Sequence, residues 1–340
     1  MSYKSKKCRA SINYRVDSST TSRYKLILPL NPHPEDILLK TRVHIISLIA
    51  FLIGFIPMQS AAGVEFSLDL AAAYSWDDNV GLDELERATG ESDEVTTLEA
   101  QGSALITIFD RTTLRLSAGL VDDAYSTFSV VDRRTESWGL NLENQFGDTT
   151  FGFNWFDVSA NLNKQQFLTY RRISPYAARF LSKQWFLRGE YVYGEKEIER
   201  RPGRGADSHS VSLDSYYFIR GLKRYALLGY TYRVDDANAN RYDYESHAIK
   251  ARYIHRIAFG ALPLEFELET KIEDRQYKSP DPIIGTERED TRVRFSAEMR
   301  LIITDFASVA LHLKNSDYDS NLETATYNDL VVGTEFRLSF

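Results

Sequence analysis

The stretch Leu262-Pro-Leu-Glu-Phe-Glu-Leu-Glu-Thr-Lys-Ile-Glu-Asp274 alternates between apolar and charged side chains. One side of an extended chain would carry Leu262, Leu264, Phe266, Leu268 and Ile272, and the other side Glu265, Glu267, Glu269, Lys271 and Glu273. Successive side chains of a β-strand point to opposite faces, so such a strand has one apolar face and one charged face. The stretch therefore predicts a strand that separates two environments of opposite polarity.

The same two-residue period recurs from Val64 to the C-terminus, and no segment has the period of a long amphipathic helix. Short turns alternate along the chain with long polar segments at residues 77–93, 126–136, 164–172, 200–207, 235–242, 279–290 and 317–324. About fourteen strands of roughly 10–17 residues fit between them, which is the plan of an up-and-down transmembrane β-barrel. We therefore predict an all-β, single-chain antiparallel barrel over residues 63–340, with short periplasmic turns and longer extracellular loops.

A soluble β-sandwich is the main structural alternative, because it also alternates apolar and polar residues. A sandwich would have turns about every 8–12 residues, whereas these strands are longer and their loops are unequal in length. The last strand also places Phe336, Leu338 and the terminal Phe340 on one face. This ending resembles the signal that outer-membrane proteins present to the barrel-assembly machinery, so we assign these three residues as a candidate assembly signal.

Residues 40–62 have a basic start, an apolar run of about fifteen residues and a small-residue end, as in a secretory signal peptide. A membrane anchor is the alternative, but the run is shorter than the roughly 20 residues that span a bilayer. Residues 1–39 are polar and unpatterned, which predicts either a disordered extension or a misplaced translation start. We expect export across the inner membrane of a Gram-negative bacterium and insertion into its outer membrane.

Composition excludes several classes of function. The single cysteine, Cys8, lies upstream of the patterned region, so neither a disulfide framework nor a cysteine metal site is expected. Segment 1–62 contains nine Lys or Arg and three Asp or Glu, so the rest of the chain has a formal charge of −13. That charge disfavours nucleic acid as a partner. We predict no cofactor and no metal centre.

Enzymatic activity is not expected from the arrangement of nucleophiles and bases. The only Ser and His residues close in sequence are in Ser208-His209-Ser210 and Ser246-His247. Neighbouring residues of a strand point in opposite directions, so these pairs are poorly placed to bond each other. We therefore predict no catalytic residues, and a barrel enzyme such as a lipase remains the least favoured alternative.

Charged residues of three consecutive predicted strands share the parity of the barrel lumen. They are Lys250, Arg252 and Arg256, then Glu265, Glu267, Glu269 and Glu273, then Arg292, Arg294 and Arg300. If neighbouring strands pair in chain order, a carboxylate column lies between two cationic columns. Two interpretations remain open: salt bridges that make a polar interior tolerable, or a constriction whose charge selects permeants.

The segment Ala72-Ala-Ala-Tyr-Ser-Trp-Asp-Asp-Asn-Val80 resembles the Tyr-x-Asp-Asn-Val opening of barrels in the surface lipoprotein assembly modifier family. The similarity continues through residues 167–175, residues 184–193 and the closing strand, and related barrel-porin families open in a similar way. The resemblance implies an outer-membrane barrel that assists translocation or assembly of surface-exposed material. Family members usually have a periplasmic tetratricopeptide-repeat domain before the barrel, and we expect this chain to lack one.

Three functions therefore stand in order of preference: an assembly or translocation barrel, a passive diffusion porin, and a barrel enzyme. The resemblance carries over no catalytic residue. The expected partners are outer-membrane lipids, the barrel-assembly machinery during insertion, and, for the first function, a surface lipoprotein client or a separate periplasmic repeat protein.

Overall fold

A computed structural model describes residues 63–340 of the chain. The predicted extension at 1–39 and the predicted signal peptide at 40–62 lie outside the described residues. No helix in the described part is long and apolar enough to cross a bilayer.

Residues 63–340 consist almost entirely of strands. In chain order they are β1 (Val64–Asp77), β2 (Gly81–Leu82), β3 (Arg87–Ala88), β4 (Asp93–Phe109), β5 (Thr112–Tyr125), β6 (Arg133–Phe146), β7 (Thr149–Leu162), β8 (Gln165–Phe180), β9 (Trp185–Ile198), β10 (Ala206–Phe218), β11 (Arg224–Ala237), β12 (Tyr244–Phe259), β13 (Leu262–Pro280), β14 (Glu287–Thr304), β15 (Ala307–Ser320) and β16 (Tyr327–Ser339). Short 3₁₀ turns lie in the loops at Asp83–Leu85, Ser129–Val131, Pro202–Arg204, Asn240–Tyr242 and Glu323–Ala325.

All strands except β2 and β3 form one closed antiparallel barrel of 14 strands, as the sequence predicts. Consecutive strands pair throughout, and the first strand closes the ring by pairing with both β4 and β16. Leu70, for example, lies opposite Ala100 on one side and Leu338 on the other. The closed ring leaves no free strand edge, which distinguishes it from a sandwich.

The two faces of β13 show the expected division of polarity. Leu268 and Ile272 point outward and are 45% and 47% exposed. Glu273 points inward and is only 5% exposed. An apolar outer surface and a charged interior are the reverse of a soluble protein, and they are the arrangement that a bilayer around the barrel requires.

Aromatic residues mark the end of the barrel that carries the short turns. Exposed phenylalanines lie in or beside the short turns and at the C-terminus: Phe109, Phe146, Phe180, Phe259, Phe306 and Phe340. Phe340 stacks on Phe306 with ring centroids 6.3 Å apart, which places one member of the candidate assembly signal in this ring. Such a girdle is typical of the membrane–water interface.

One predicted loop is wrong. Residues 164–172 lie almost entirely in β8, and only Asn163 and Lys164 connect it to β7. Both residues have positive φ, 47° and 63°, as a tight two-residue hairpin requires. The polar composition of the segment indicated a loop, but its side chains belong to the water-facing end of a strand. The other long segments contain loops, which occupy residues 78–92, 126–132, 199–205, 238–243, 281–286 and 321–326.

The lipid-facing position of Leu268, near the middle of β13, gives a direct test of the orientation of the strands. We expect Leu268→Arg to lower the free energy of unfolding in lipid vesicles by about 2–4 kcal/mol, because a charge is placed in the hydrocarbon. Leu222→Arg, in the short turn before β11 where Leu222 is 78% exposed, is the matched control, with an expected change of about 0–1 kcal/mol. Equal effects in denaturant titrations would contradict the orientation.

Candidate functional site

The charged residues predicted on β12 and β13 meet inside the barrel. Arg256 Nη2 lies 2.6 Å from Glu265 Oε2. Arg252 contacts two carboxylates, with Nε 3.2 Å from Glu267 Oε1 and Nη2 2.5 Å from Glu269 Oε2. The pairing of neighbouring strands in chain order is what brings these residues together.

The remaining predicted residues keep the register of neighbouring strands, with Glu265 opposite Arg300, but their side chains bind several different partners. Arg300 binds Glu298 on its own strand at 2.8 Å and Glu335 on β16 at 3.1 Å. Lys250 lies 3.8 Å from Asp214, and Arg294 donates to the Tyr318 hydroxyl at 2.8 Å. Glu273 binds Lys271 and Arg275 of its own strand, so cations interrupt the carboxylates along β13.

Two members of the candidate assembly signal, Phe336 and Leu338, lie on β16, and Phe340 follows directly after its end. Phe336 is outward-facing, 45% exposed, and lies opposite Ala72 and Val309. Leu338 lies opposite Leu70 and Ala307. The three residues therefore border the closing seam of the barrel, and their role in assembly remains a prediction.

Loop 1, residues 78–92, enters the mouth of the barrel at the long-loop end. Two backbone hydrogen bonds hold its ends together. The N–H of Val80 donates to the carbonyl oxygen of Glu91 at 2.9 Å, and the carbonyl oxygen of Val80 accepts from the N–H of Thr89 at 2.9 Å. Val80 is completely buried. The strands β2 and β3 then pair as a short hairpin that leads to Glu86.

Glu86 is the centre of a buried ion cluster that sequence analysis missed. Its carboxylate lies 2.7 Å from Arg288, 2.6 Å from Arg292, 3.1 Å from Arg204 and 3.7 Å from Arg275. We refer to these four arginines as the arginine cluster. The Tyr277 hydroxyl also donates to Glu86 at 3.1 Å.

Each member of the arginine cluster also lies over a tyrosine ring. The distances from guanidinium carbon to ring centroid are 4.4 Å for Arg204 on Tyr242, 4.7 Å for Arg275 on Tyr244, 4.6 Å for Arg288 on Tyr277 and 5.1 Å for Arg292 on Tyr318. Arg288 and Arg292 are further fixed by Asp290, at 2.7 and 3.1 Å. Planar guanidinium groups stack well on aromatic faces, so the cluster is held in place by groups other than Glu86.

Loop 1 contacts separate sectors of the barrel wall. Glu84 lies 3.9 Å from Arg133 at the start of β6, and Glu86 contacts Arg204 between β9 and β10. Glu86 also binds side chains of β13 and β14. These sectors are separated by several strands around the ring, so loop 1 crosses the mouth of the barrel.

The environment of Glu86 determines its ionisation. Burial alone would raise the pKa of its carboxyl group, but the positive charges of Arg288, Arg292 and Arg204 outweigh burial and hold the pKa well below its usual range. Glu86 therefore stays ionised in mildly acidic solution. Its backbone φ of 53° lies in the left-handed region, which a residue with a side chain rarely adopts.

Two other groups of residues bear on the sequence predictions. Asp77, Asp78 and Asp329 bring carboxylate oxygens within 4.8 Å of one another at the base of loop 1. Asp78 accepts a hydrogen bond from the backbone N–H of Leu330 at 2.6 Å, and Asp77 accepts one from the backbone N–H of Asn79 at 2.9 Å. Asp77 and Asp78 therefore stabilise the backbone at the start of loop 1.

The Ser and His residues close in sequence do not bond each other. His209 and His247 pair instead with the hydroxyls of Tyr191 and Tyr230, each at 2.7 Å. The fold does bring Ser75 Oγ to 3.0 Å from His312 Nε2, across Gly333, where a Cβ would lie 2.3 Å from that hydroxyl oxygen. The two residues are 237 positions apart, which is why sequence analysis missed the pair.

The contacts of Arg252 favour a salt-bridge role over selection of permeants. We expect the double variant Glu267→Gln, Glu269→Gln to lose about 1 kcal/mol of unfolding free energy, since Arg252 would lose both carboxylates while remaining partly hydrated. We expect its ion selectivity in planar bilayers to be unchanged. Glu65→Gln, at a lumen-facing position on β1 with no ion pair among the described residues, is the control. A shift toward anions at unchanged stability would contradict this interpretation.

The lowered pKa of Glu86 predicts how loop 1 depends on pH. A carboxyl group with a lowered pKa in the folded state contributes its full stability above its unfolded pKa, about 4.3, and loses it progressively as pH falls from there through the lower folded value. We therefore expect hydrogen exchange of residues 78–92, corrected for intrinsic rates, to be equally slow at pH 7 and about pH 4.5. In the Glu86→Gln variant, hydrogen exchange of these residues should be faster at both pH values. Exchange that accelerates between these pH values in the wild type would contradict the assignment.

Comparison with known proteins identifies a family for the chain. The family described as surface lipoprotein assembly modifier matches residues 129–329, more than half of the chain. No curated protein sequence matches. Among solved structures, the anion-selective porin from Comamonas acidovorans is 9% identical over 82% of this chain and 99% of its own, with a TM-score of 0.50. Salmonella typhi OmpF, in complex with daunomycin, is 8% identical over 82% and 97%, with a TM-score of 0.49.

At such low identity the porin from Comamonas acidovorans supports the barrel fold alone. The family match carries more, because it covers the strands from β6 to β15 and the arginine cluster that receives loop 1. The chain belongs to the surface lipoprotein assembly modifier family.

Proposed function

We propose that this outer-membrane barrel assists the translocation or assembly of surface-exposed material, with surface lipoproteins as its clients. The observation that carries the proposal is the insertion of Glu86 into the arginine cluster, which holds loop 1 across the mouth of the barrel. A barrel that translocates large clients has to stay closed to small solutes between two translocation events. Family membership agrees with such a role.

The ion pairs between Glu86 and the arginine cluster favour a closed resting state, in which loop 1 crosses the mouth. Removing one partner from a buried ion pair costs about 3–5 kcal/mol, because the remaining charge is left without compensation. Withdrawal of loop 1 would leave Arg288 and Arg292, with side chains 3% and 6% exposed, without Glu86. Asp290 would then be their one remaining carboxylate partner among the described residues, so the position of loop 1 across the mouth is favoured.

The route to the membrane forms part of the proposal. A signal peptide at residues 40–62 would direct export, and the barrel-assembly machinery would recognise the last strand, which ends at Phe340. A periplasmic repeat protein supplied as a separate chain would then present clients to the barrel.

A passive diffusion porin is the second candidate, favoured by the charged lumen around Arg252, Glu267 and Glu269. Continuous diffusion requires a pathway that stays open, whereas loop 1 obstructs one end. Single-channel recording of the full-length protein distinguishes the two candidates: we expect rare, brief currents for an assembly barrel, and large steady currents for a porin.

The cellular test is the display of lipoproteins on intact bacteria. We expect deletion of the gene to remove at least one lipoprotein from the surface, measured by mass spectrometry of peptides released by protease from whole cells. Total cellular amounts of that lipoprotein should persist, because its synthesis does not depend on the barrel. Restoring the full-length gene is the control. An unchanged set of surface lipoproteins, together with steady currents from the purified barrel, would favour the porin.

A further inference from the structure

The arginine cluster has the properties of a binding site that exists independently of Glu86. Its four guanidinium groups come from β13, from β14 and from the loop between β9 and β10, and each is supported by a tyrosine ring. Asp290 binds two of them, Arg288 and Arg292. Guanidinium groups held in a fixed geometry are well suited to carboxylates and phosphates.

The charges of the cluster are not balanced by its permanent neighbours. Besides Glu86, the carboxylates that bind the four arginines are Asp290, which binds Arg288 and Arg292, and Glu273, which binds Arg275. Glu273 also binds Lys271. Among the described residues, the site without Glu86 would hold four arginines against two carboxylates, one of them shared with a lysine, which favours occupation by another anion.

Glu86 fills this site from a separate segment and in an unfavourable backbone conformation. Loop 1 carries it in at the tip of a two-stranded hairpin, with φ in the left-handed region. Its contacts with Arg288 and Arg292 are close, at 2.7 and 2.6 Å, whereas Arg275 remains 3.7 Å away. A carboxylate that is not constrained by loop 1 could approach the cluster without this backbone conformation.

We propose that the arginine cluster is a binding site for a carboxylate group of an acidic polypeptide segment, and that Glu86 is an internal occupant which the ligand displaces. Displacement removes the contacts that hold loop 1 across the mouth, so binding and opening are coupled. The choice of a polypeptide follows from the present occupant, a glutamate side chain carried on a peptide hairpin. That choice rests on the proposed function, whereas the anion site itself does not.

Removal of the internal occupant gives the first test. We expect full-length Glu86→Ala, refolded in detergent and confirmed by the heat-dependent shift in gel mobility, to bind a Gly-Glu-Gly peptide blocked at both ends. Calorimetry should show saturable binding at least about tenfold tighter than to the wild type, in which Glu86 competes. The corresponding Gly-Gln-Gly peptide should not bind, because it lacks the charge.

Glu91→Ala is the matched control, since Glu91 lies in the same loop with an exposed side chain. It should behave like the wild type. Absence of peptide binding by Glu86→Ala, or equal binding by Glu86→Ala and the wild type, would overturn the proposal. Inorganic phosphate is the second probe: binding of phosphate without binding of the peptide would overturn the assignment of a polypeptide ligand.

A second variant covers the case in which Glu86→Ala does not fold. Glu86→Gln preserves the size of the side chain, and we expect it to raise hydrogen exchange of residues 78–92 and to increase the open time in planar bilayers. Unchanged exchange and unchanged currents would show that Glu86 does not hold loop 1. These measurements use purified protein, so their failure is distinguishable from a failure of lipoprotein display in cells.

Discussion

The structure depends on one constraint: a backbone amide in hydrocarbon has no water with which to form a hydrogen bond. Antiparallel strands satisfy this constraint only if the sheet closes, and the pairing of β1 with both β4 and β16 completes the ring. Closure creates a lumen that lipid cannot enter. The alternation seen at Leu268 and Glu269 is the consequence, since each strand has to face lipid on one side and water on the other.

The lumen then imposes an electrostatic problem of its own. Charges in the lumen have to be paired, and neighbouring strands of the wall do so with contacts such as Arg252 with Glu267 and Glu269. At the mouth, β13 and β14 present more arginines than their own carboxylates balance, and loop 1 supplies the missing charge through Glu86. The same contact also holds loop 1 across the mouth, and in our proposal it links the state of the lumen to the occupancy of one anion site.

Prediction from sequence succeeded where the physical signal is local. The period of two, the apolar last strand and the alternation of short and long connections predicted the barrel and the lumen-facing side of Arg252 and Glu265. It failed at residues 164–172, because polarity alone does not distinguish a loop from the part of a strand that extends into water. It also missed the contact of Arg292 with Glu86, 206 residues away in sequence.

The sequence by itself therefore determined which residues face lipid, which face the lumen and that the sheet has to close. These properties follow from side-chain alternation and from the polarity of each solvent, and they require no knowledge of distant contacts. Only the tertiary structure decided that loop 1 enters the mouth and that Glu86 meets the arginine cluster. Glu86 lies in a long polar loop with no periodicity, so its partners are set by closure of the ring. Closure brings residues that are far apart in sequence to one place.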